Sequence, residues 1–388
     1  MKKLRNHQLR VLSQMHKYQK GQVIVPTGGG KTMCMITDAK CELKGKNQTI
    51  VVVSPRILLT QQLSKDFLEQ ITSPLRVLHV HSGDTSHHST TDKKEIFNWG
   101  VNNWNHNKII FTTYHSLHRI QESGIPVNTI YFDEAHNSVQ EHFNPATRFF
   151  ASLGGIRCYF FTATPKHSSS NEDTGMNNEY IYGKVLEQVP APELIEQDVI
   201  LPPKVVVKQL DMIKDRKITV DDDADNILST IDEHNVNKIL ICARRTSQIV
   251  DLISDTKLPT ELYSRGYNWM YITAKTGAVI NGVKVSRDVF FETLTKWGKD
   301  DREKFIVIHH SILSEGINVP GLEAALLLRN MNYITLSQTI GRVIRKGNEQ
   351  KQFGIVSVPV YDKVGISTSK SVNAVVDTIF RKGQPAIA

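Results

Sequence analysis

The sequence predicts an α/β protein of two domains, each with a mainly parallel sheet flanked by helices. Short apolar runs alternate with longer mixed segments on both sides of a proline-containing stretch at 189–204. Strands that are buried on both faces and separated by helices are typical of parallel sheets. The 388 residues also exceed one ordinary hydrophobic core. We therefore expect domains at 1–195 and 196–388, with a short tail from about residue 360.

In the first half, six apolar runs have the length of strands and two longer segments have helical character. A polar, Ser/Asn-rich stretch at 167–178 follows them and predicts a surface loop. The predicted strands are Val23–Val25, Ile50–Val53, Val77–Val80, Ile109–Thr112, Ile130–Phe132 and Tyr159–Phe161, and the predicted helices are Lys31–Leu43 and Leu58–Gln70.

In the second half, the alternation resumes after the proline-containing stretch. The acidic run Asp221–Asp225 predicts a solvated helix start, where negative charge suits the helix dipole. The tail is compatible with one closing helix at Lys370–Lys382. The other predicted elements are strands at Lys238–Cys242, Phe305–His309 and Ala324–Leu328, and helices at Thr246–Ser254 and Leu336–Arg345.

Charge and composition limit the classes of function. The 47 Lys and Arg residues exceed the 39 Asp and Glu residues, and the net charge of +8 favours a polyanionic partner such as nucleic acid. Four scattered cysteines without a CxxC pair argue against a zinc or iron–sulfur site and fit a reducing, cytoplasmic compartment. No apolar run approaches the ~20 residues of a membrane span, and the basic start lacks the apolar core of a signal peptide.

A group of four histidines raises the question of a metal site. His79, His81, His87 and His88 stand among Ser, Gly, Asp and Thr residues. That setting fits an exposed loop better than a metal centre.

A glycine-rich turn joins the first predicted strand to the first predicted helix. The backbone N–H groups of Gly28–Gly30 can approach phosphate oxygens closely, because no side chain intervenes. Lys31 supplies positive charge toward the β and γ phosphates, and Thr32 offers a hydroxyl to Mg²⁺. The general phosphate-loop pattern has glycine at the position of Val25, so this chain departs from it there.

Two acidic residues follow another predicted strand. Ile130–Phe132 delivers Asp133 and Glu134 to the carboxyl end of a parallel sheet, where the ligand sites of α/β proteins lie. Asp133 can hold Mg²⁺, and Glu134 can orient and deprotonate an attacking water. Together with the glycine-rich turn, these carboxylates predict hydrolysis of ATP with Mg²⁺ as cofactor.

Phosphoryl transfer also needs positive charge on the γ-phosphate. Arg342 and Arg345 are three residues apart, which places them on one face of the predicted helix Leu336–Arg345. The alternative is a solvated basic helix, since Lys346 belongs to the same cluster. If the two arginines serve the site, ATP is expected between the two domains.

These segments resemble the motif set of superfamily 2 helicases and translocases in order and spacing, over nearly the whole chain. Pro26–Thr32 resembles motif I, the DEAH segment Asp133–His136 resembles motif II, Thr162–Thr164 motif III and Gln338–Arg345 motif VI. The remaining similar segments are Ser54–Arg56 for motif Ia, Thr112–Ser116 for motifs Ib and Ic, Ser314–Pro320 for motif V, and Arg5 with Gln8 for the N-terminal glutamine motif.

The resemblance implies two tandem RecA-like domains with ATP at their interface and nucleic acid across both. It implies catalytic roles for Lys31, Glu134, Gln338, Arg342 and Arg345, and coupling through His136, Thr162 and Thr164. The implied nucleotide contacts are Arg5, Gln8, Thr27, Gly28, Gly29, Gly30, Lys31, Thr32, Asp133 and Gly316, with Thr32 and Asp133 on Mg²⁺. The implied nucleic-acid contacts are Ser54, Pro55, Arg56, Thr112, Thr113, Arg244, Thr273, Lys275 and Ser314.

Within the superfamily, motifs II, V and VI resemble the branch that includes restriction-enzyme motor subunits and phage recombination or branch-migration helicases. We therefore predict an ATP-dependent DNA helicase or translocase. Its small size favours a minimal, monomeric motor from a phage or mobile element, with unknown protein partners. An RNA helicase and an ATP-gated nucleic-acid clamp without unwinding are the alternatives. A small-molecule kinase would need neither a second such domain nor Gln338–Arg345.

Overall fold

The computed structural model describes residues 3–83, 85–169, 174–210, 219–273, 275–310, 319–347, 351–361, 366–385 and 387. The chain divides into two compact units, Met1–Pro190 with Pro385–Ala388, and Ala191–Gln384. Across the described part of the chain, no helix combines the length and apolar character needed to cross a membrane.

The first unit is built on a seven-stranded sheet in which every neighbouring pair is parallel. Its strands are β1 (Lys20–Ile24), β2 (Thr49–Ser54), β3 (Arg76–Val80), β4 (Lys108–Thr113), β5 (Thr129–Phe132), β6 (Arg157–Thr162) and β7 (Val185–Gln188). The spatial order is β3-β4-β2-β5-β6-β1-β7. Strands β2, β4 and β5 are buried along their whole length, which explains their continuous runs of apolar and β-branched residues.

Helices connect these strands and cover the sheet. They are α1 (Asn6–Lys17), α2 (Lys31–Glu42), α3 (Ile57–Gln70), α4 (Lys93–Asn102), α5 (Leu117–Ser123), α6 (Asn144–Ser152) and α7 (Glu179–Tyr182). Asp92 caps the start of α4 by accepting from two backbone N–H groups. Gly124 ends α5 with a φ of 69°, a left-handed conformation that suits glycine.

The second unit contains an eight-stranded mixed sheet. Its strands are β8 (Pro203–Leu210), β9 (Lys238–Cys242), β10 (Asn268–Thr273), β11 (Gly277–Ile280), β12 (Val283–Val285), β13 (Phe305–His309), β14 (Ala324–Leu327) and β15 (Gly354–Tyr361). The order is β12-β11-β10-β13-β9-β14-β15-β8. The pairs β10–β11 and β11–β12 are antiparallel and the others are parallel.

The helices of the second unit again lie between strands. They are α8 (Ala191–Glu196), α9 (Val220–His234), α10 (Thr246–Ser254), α11 (Leu258–Ser264), α12 (Arg287–Lys299), α13 (Tyr333–Val343) and α14 (Ile366–Val375), which continues as a π-helical segment, Val376–Arg381. The predicted fold class, two α/β domains with mainly parallel sheets flanked by helices, is confirmed in both units.

The structure corrects two sequence-based expectations and contains several elements that were not predicted. The predicted helix Leu336–Arg345 ends at Val343. The acidic run at the start of α9 is only partly solvated, because Asp223 is 2% exposed. One of these is a hairpin that joins β11 to β12 through Asn281 and Gly282, both with positive φ, and the Asn-Gly pair is the sequence signal for it.

Candidate functional site

The glycine turn, defined as Pro26–Gly30, joins β1 to α2. Gly28 and Gly30 have φ angles of 88° and 90°, a left-handed conformation that glycine adopts without steric penalty. A Cβ on Gly30 would lie 2.5 Å from Nε2 of the Gln8 side chain, so a larger residue would also displace the Gln8 amide group. The first backbone N–H groups of α2 have no intrahelical partner, which suits the start of this helix to a phosphate group.

Helix α1 places two side chains on the carbonyl groups of this turn. His7 Nε2 bonds to the Gly29 carbonyl at 2.7 Å, and Gln8 Nε2 donates to the Gly30 carbonyl at 3.3 Å. Gln8 Oε1 accepts from the backbone N–H of Arg5 at 3.0 Å. The resemblance points to Arg5 and Gln8, whereas sequence reasoning missed the fully buried His7. Its position directly before Gln8 on the same helical turn was the available signal.

Two carboxylates at the end of β5 lie beside the first residue of α2. Asp133 and Glu134 are 5% and 8% exposed. Lys31 Nζ lies 3.8 Å from Glu134 Oε1 and donates to the Val25 carbonyl at 3.4 Å. Burial, reinforced by the Glu134 charge, raises the pKa of Asp133 to about 7, and the Lys31 charge opposes this shift. A divalent cation at this position would favour the ionised carboxylate.

Glu134 is held in an uncommon backbone conformation. Its φ is 47°, in the left-handed region that costs a non-glycine residue roughly 1–2 kcal/mol. Asn137 donates its backbone N–H and its Nδ2 to the Glu134 carbonyl, each at 3.0 Å. Glu134 Oε2 is buried and accepts no hydrogen bond from the described residues. A strained backbone and an unfilled acceptor at one carboxylate are typical of functional sites.

His136 joins this acidic segment to the end of β6. Its Nδ1 lies 3.0 Å from Thr162 Oγ1 and 3.3 Å from Thr164 Oγ1. The same nitrogen lies 3.7 Å from Glu134 Oε2. The three residues assigned to coupling by the resemblance are therefore in contact, and the coupling itself stays a prediction.

The helix that follows the glycine turn is anchored to the sheet by a buried carboxylate. Asp38 of α2 is fully buried. Its Oδ2 accepts from the Tyr131 hydroxyl at 2.6 Å, and its Oδ1 accepts from Arg157 at 3.0 Å. Arg157 also pairs with Glu42 near the end of the same helix. Side chains of β5 and β6 thus set the position of α2 relative to the carboxylates.

The candidate nucleic-acid residues of the first unit lie at the carboxyl ends of β2 and β4. Arg56 is exposed, whereas Ser54, Pro55, Thr112 and Thr113 are buried. The hydroxyl groups of the buried residues bond within the protein, for instance Ser54 to Thr60 Oγ1 at 2.5 Å and Thr112 to the Val80 carbonyl at 2.9 Å. Of these five positions, Arg56 is the one whose side chain is presented to solvent.

The corresponding candidates of the second unit lie at the ends of β9 and β10. The Arg244 guanidinium is paired with Asp223, a buried carboxylate that also accepts from Gln248. Thr273 is buried and its hydroxyl lies 2.6 Å from that of Thr276, while Lys275 is exposed. The two remaining candidates, Ser314 and Gly316, fall outside the described residues.

The structure separates the two arginines that were predicted to share a helical face. Gln338 and Arg342 are buried in α13, at 6% and 4% exposure. Arg345 lies beyond the helix and pairs with Ile200 in an antiparallel bridge. The prediction that Arg342 and Arg345 lie on one face of a helix is therefore wrong, and the roles assigned to the three residues stay predictions.

The end of α13 has an identifiable physical cause. The backbone N–H of Leu201 donates to the Ile344 carbonyl at 2.7 Å. Lys351 Nζ donates to the carbonyl groups of Val343, Arg345 and Leu322. These partners take up the carbonyls at the end of the helix, so the chain leaves α13 before Arg345.

The histidine prediction is wrong for two of the four residues, whereas His87 and His88 are exposed and lie outside the strands as expected. His79 and His81 are 1% and 2% exposed, because His79 belongs to β3 rather than to a loop. His79 Nδ1 lies 3.0 Å from His81 Nε2, and Ser64 Oγ lies 3.0 Å from His79 Nε2. Burial, with smaller effects of His81 and His87, lowers the pKa of His79 to about 4. The described residues contain no group of three or more His, Cys, Asp or Glu side chains arranged to hold a metal ion.

One protein family matches the first part of the chain. Residues 1–167 match the family described as the type III restriction enzyme res subunit. This range contains the glycine turn, both carboxylates and Thr162–Thr164. No curated protein matches the sequence.

Two restriction-modification enzymes have similar structures. The ATP-dependent type ISP enzyme LlaBIII, bound to DNA, has a TM-score of 0.75 and 18% identity, and the match covers 99% of this chain and 30% of that chain. A nuclease-deletion mutant of the type ISP enzyme LlaGI, in complex with a DNA substrate mimic, has a TM-score of 0.61 and 18% identity, with coverage of 98% and 29%. The chain thus spans less than a third of either enzyme.

A yeast protein shares the fold as well. S. cerevisiae Dbp5, bound to Gle1 and IP6, has a TM-score of 0.61 and 14% identity, with coverage of 100% of this chain and 89% of that chain. At such identities the likeness shows the fold alone. The family match and the shared fold confirm the resemblance to superfamily 2 helicases and restriction-enzyme motor subunits, with two RecA-like domains.

Proposed function

We propose that this chain is an ATP-dependent motor that translocates along DNA or remodels it. The observation that carries the proposal is the meeting of Lys31 and Glu134 beside the glycine turn, with Nζ and Oε1 3.8 Å apart. A phosphate-binding lysine next to a buried carboxylate provides both substrate binding and water activation, which nucleotide hydrolysis needs. A protein that only binds a nucleotide would not need water activation.

The residues at this site fit a nucleotide with Mg²⁺. The first turn of α2 carries no acidic residue, so the positive end of the helix suits phosphate oxygens. The half-buried Thr32 and the buried Asp133 supply a hydroxyl and a carboxylate, which are oxygen ligands of the kind that Mg²⁺ prefers. When bound, Mg²⁺ would neutralise charge that develops on the β and γ phosphates.

Lys31 and Glu134 then divide the chemistry. Lys31 places a buried ammonium beside the transferred phosphate and stabilises its oxygens. Glu134 orients the attacking water and accepts its proton, with Oε2 as the accepting atom because no described residue donates to it. The resemblance assigns Gln338, Arg342 and Arg345 of the second unit to the same reaction.

The polyanionic partner is proposed to be DNA. The net charge of +8 and the exposed Arg56 support contact with backbone phosphates. DNA is favoured over RNA because the motif set resembles that of DNA-directed motors and because the two type ISP enzymes are bound to DNA or a DNA mimic. Contacts to phosphates alone do not distinguish the two nucleic acids.

The test is ATP hydrolysis in the presence of single-stranded DNA, branched DNA or single-stranded RNA, each beside the variant Glu134→Gln. Glutamine keeps the size of the side chain but cannot accept the proton of the water. Turnover that is stimulated by DNA and lost in Glu134→Gln would support the proposal. Stimulation by RNA alone would mean that the partner is RNA and not DNA. A wild-type rate in Glu134→Gln would overturn the role of Glu134 as the acceptor of the water proton.

A further inference from the structure

Tyr114 connects two parts of the first unit that the proposed function uses together. It follows Thr113 at the end of β4 and begins the 3-10 turn Tyr114–Ser116. Its side chain is 2% exposed, and its hydroxyl donates to the backbone carbonyl of Asp133 at 2.9 Å. Tyr114, which follows the candidate nucleic-acid residues Thr112 and Thr113, therefore bonds to the backbone of Asp133, the candidate Mg²⁺ ligand.

Residues at the ends of β2 and β4 form hydrogen bonds with the backbone N–H and the backbone carbonyl of Asp133. The Asp133 N–H donates to the Val53 carbonyl at 2.8 Å, and Val53 precedes the segment Ser54–Arg56 at the end of β2. The Asp133 carbonyl accepts from Tyr114. The two chain segments that carry the candidate nucleic-acid contacts of this unit thus each hold one side of Asp133.

The bond from Tyr114 also bears on Glu134. The Asp133 carbonyl and the Glu134 N–H belong to one planar peptide unit. The orientation of that plane sets the φ of Glu134, which is 47°. By holding the carbonyl, the Tyr114 hydroxyl maintains the left-handed backbone that aims the Glu134 carboxylate. Without the hydroxyl, the plane can rotate toward an unstrained conformation.

The ring of Tyr114 is packed independently of its hydroxyl. It stacks on Phe132 with ring centroids 6.2 Å apart and lies 5.7 Å from the ring of Phe143. His115 contacts the same Phe143 ring at 4.6 Å. Replacement by phenylalanine would retain this aromatic packing and remove the hydrogen bond, so the substitution isolates the contribution of one oxygen atom.

We propose that Tyr114 is a positioning residue through which nucleic-acid contact at the ends of β2 and β4 sets the orientation of the Asp133–Glu134 peptide and thereby the rate of ATP hydrolysis. The inference rests on the proposed function. Tyr114 itself touches neither ATP nor the attacking water in this scheme, and acts through the backbone that carries the two carboxylates.

The variant Tyr114→Phe tests this role beside the matched control Tyr267→Phe in the second unit. The Tyr267 hydroxyl is likewise buried and donates to one backbone carbonyl, that of Val236. In Tyr114→Phe we expect kcat at saturating single-stranded DNA to fall roughly 10- to 100-fold, the loss expected when a catalytic group is misplaced. The KM for ATP and the DNA concentration for half-maximal stimulation should stay within about twofold.

Three outcomes separate this inference from the proposed function. A ratio of DNA-stimulated to unstimulated turnover in Tyr114→Phe equal to that of the wild type would overturn the inference and leave the motor assignment intact. Equal losses of that ratio in Tyr114→Phe and Tyr267→Phe would show a general structural effect and would also overturn it. A wild-type chain without DNA-dependent turnover would overturn the proposed function and this inference with it.

Discussion

At the scale of the residue, Lys31 is the side chain whose position is hardest to explain without a phosphate. It is 9% exposed and begins α2, where the helix dipole disfavours a cation. Glu134, 3.8 Å away, offsets part of this cost, but Glu134 is itself needed for the water in the proposed reaction. In the proposed reaction, a bound phosphate would supply the additional negative charge that makes a buried ammonium favourable here.

The first prediction concerns this lysine. Lys31→Ala should lower kcat for ATP at least about 100-fold, because the charge on the transferred phosphate loses its buried cation. The far-ultraviolet circular dichroism of the variant should match that of the wild type. Lys40→Ala, near the other end of the same helix, is the matched control and should retain turnover. Wild-type hydrolysis by Lys31→Ala would place the reaction at another site.

At the scale of the element, the position of α2 depends on a buried charge rather than on apolar packing alone. Asp38 links this helix to Tyr131 of β5 and to Arg157 of β6. The glycine turn precedes α2 directly, and Asp133 follows β5. The same contacts that stabilise the domain therefore set the distance between Lys31 and the two carboxylates.

The second prediction follows from that network. Asp38→Asn should lower the free energy of unfolding of the first unit by about 2 kcal/mol, because Arg157 loses a charge-assisted hydrogen bond. The unfolding midpoint in urea measures it. Asp66→Asn on α3 is the matched control, since burial raises the pKa of Asp66 and its ionised form gains nothing from the fold. A larger loss in Asp66→Asn than in Asp38→Asn would contradict this account.

A second element whose end depends on one side chain is α13. Lys351 donates to three backbone carbonyls there, and burial, opposed by Glu323, lowers the pKa of its ammonium to about 8. The unfolded value is 10.5, so between these values the unfolded chain binds more protons than the folded chain. Stability contributed by this group therefore rises as pH increases from about 8 to 10.5.

The third prediction uses this sign. Between about pH 7.5 and about pH 10, the thermal midpoint of the wild type should rise relative to that of Lys351→Met. The reason is that Lys351 loses its proton in the folded chain with a pKa of about 8, below its unfolded value. Lys346→Met, an exposed neighbour, should follow the wild type. Identical pH dependence in the wild type and Lys351→Met would show that the lysine is charged equally in both states.

At the scale of the whole molecule, the excess of basic residues is the property that bears on the partner. The net charge is +8, and contact with DNA phosphates releases counterions, which makes the affinity fall as salt rises. Arg56 is the exposed basic residue among the first-unit candidates. Its contribution can be separated from the general charge by the slope of affinity against salt concentration.

The fourth prediction is a change in that slope. Arg56→Ala should weaken binding to single-stranded DNA and reduce the slope of log Kd against log salt by about one phosphate contact. Fluorescence anisotropy with labelled oligonucleotides at several salt concentrations measures both quantities. Arg119→Ala, an exposed arginine on α5 paired with Glu122, is the control with the same charge change. An equal change of slope in both variants would argue against a specific contact by Arg56.

Much of the framework could be predicted from local sequence. Hydrophobic runs located β1 to β6 of the first sheet and β9, β13 and β14 of the second, but not β10. The glycines between β1 and α2 indicated a phosphate-binding turn. The acid pair was expected at the carboxyl end of a parallel strand, where it is found. These features depend on side-chain periodicity, turn chemistry and neighbours within a few residues, so the sequence by itself determined them.

Only the tertiary structure decided which distant groups share a hydrogen bond. His7 on the glycine turn, Tyr114 on Asp133, and Arg157 on Asp38 each join residues that are far apart in the chain. The departure of Arg345 from α13 and the burial of His79 also depend on partners from other elements. The physical reason is that the order of strands in the sheet selects these neighbours, and local periodicity carries no information about that order.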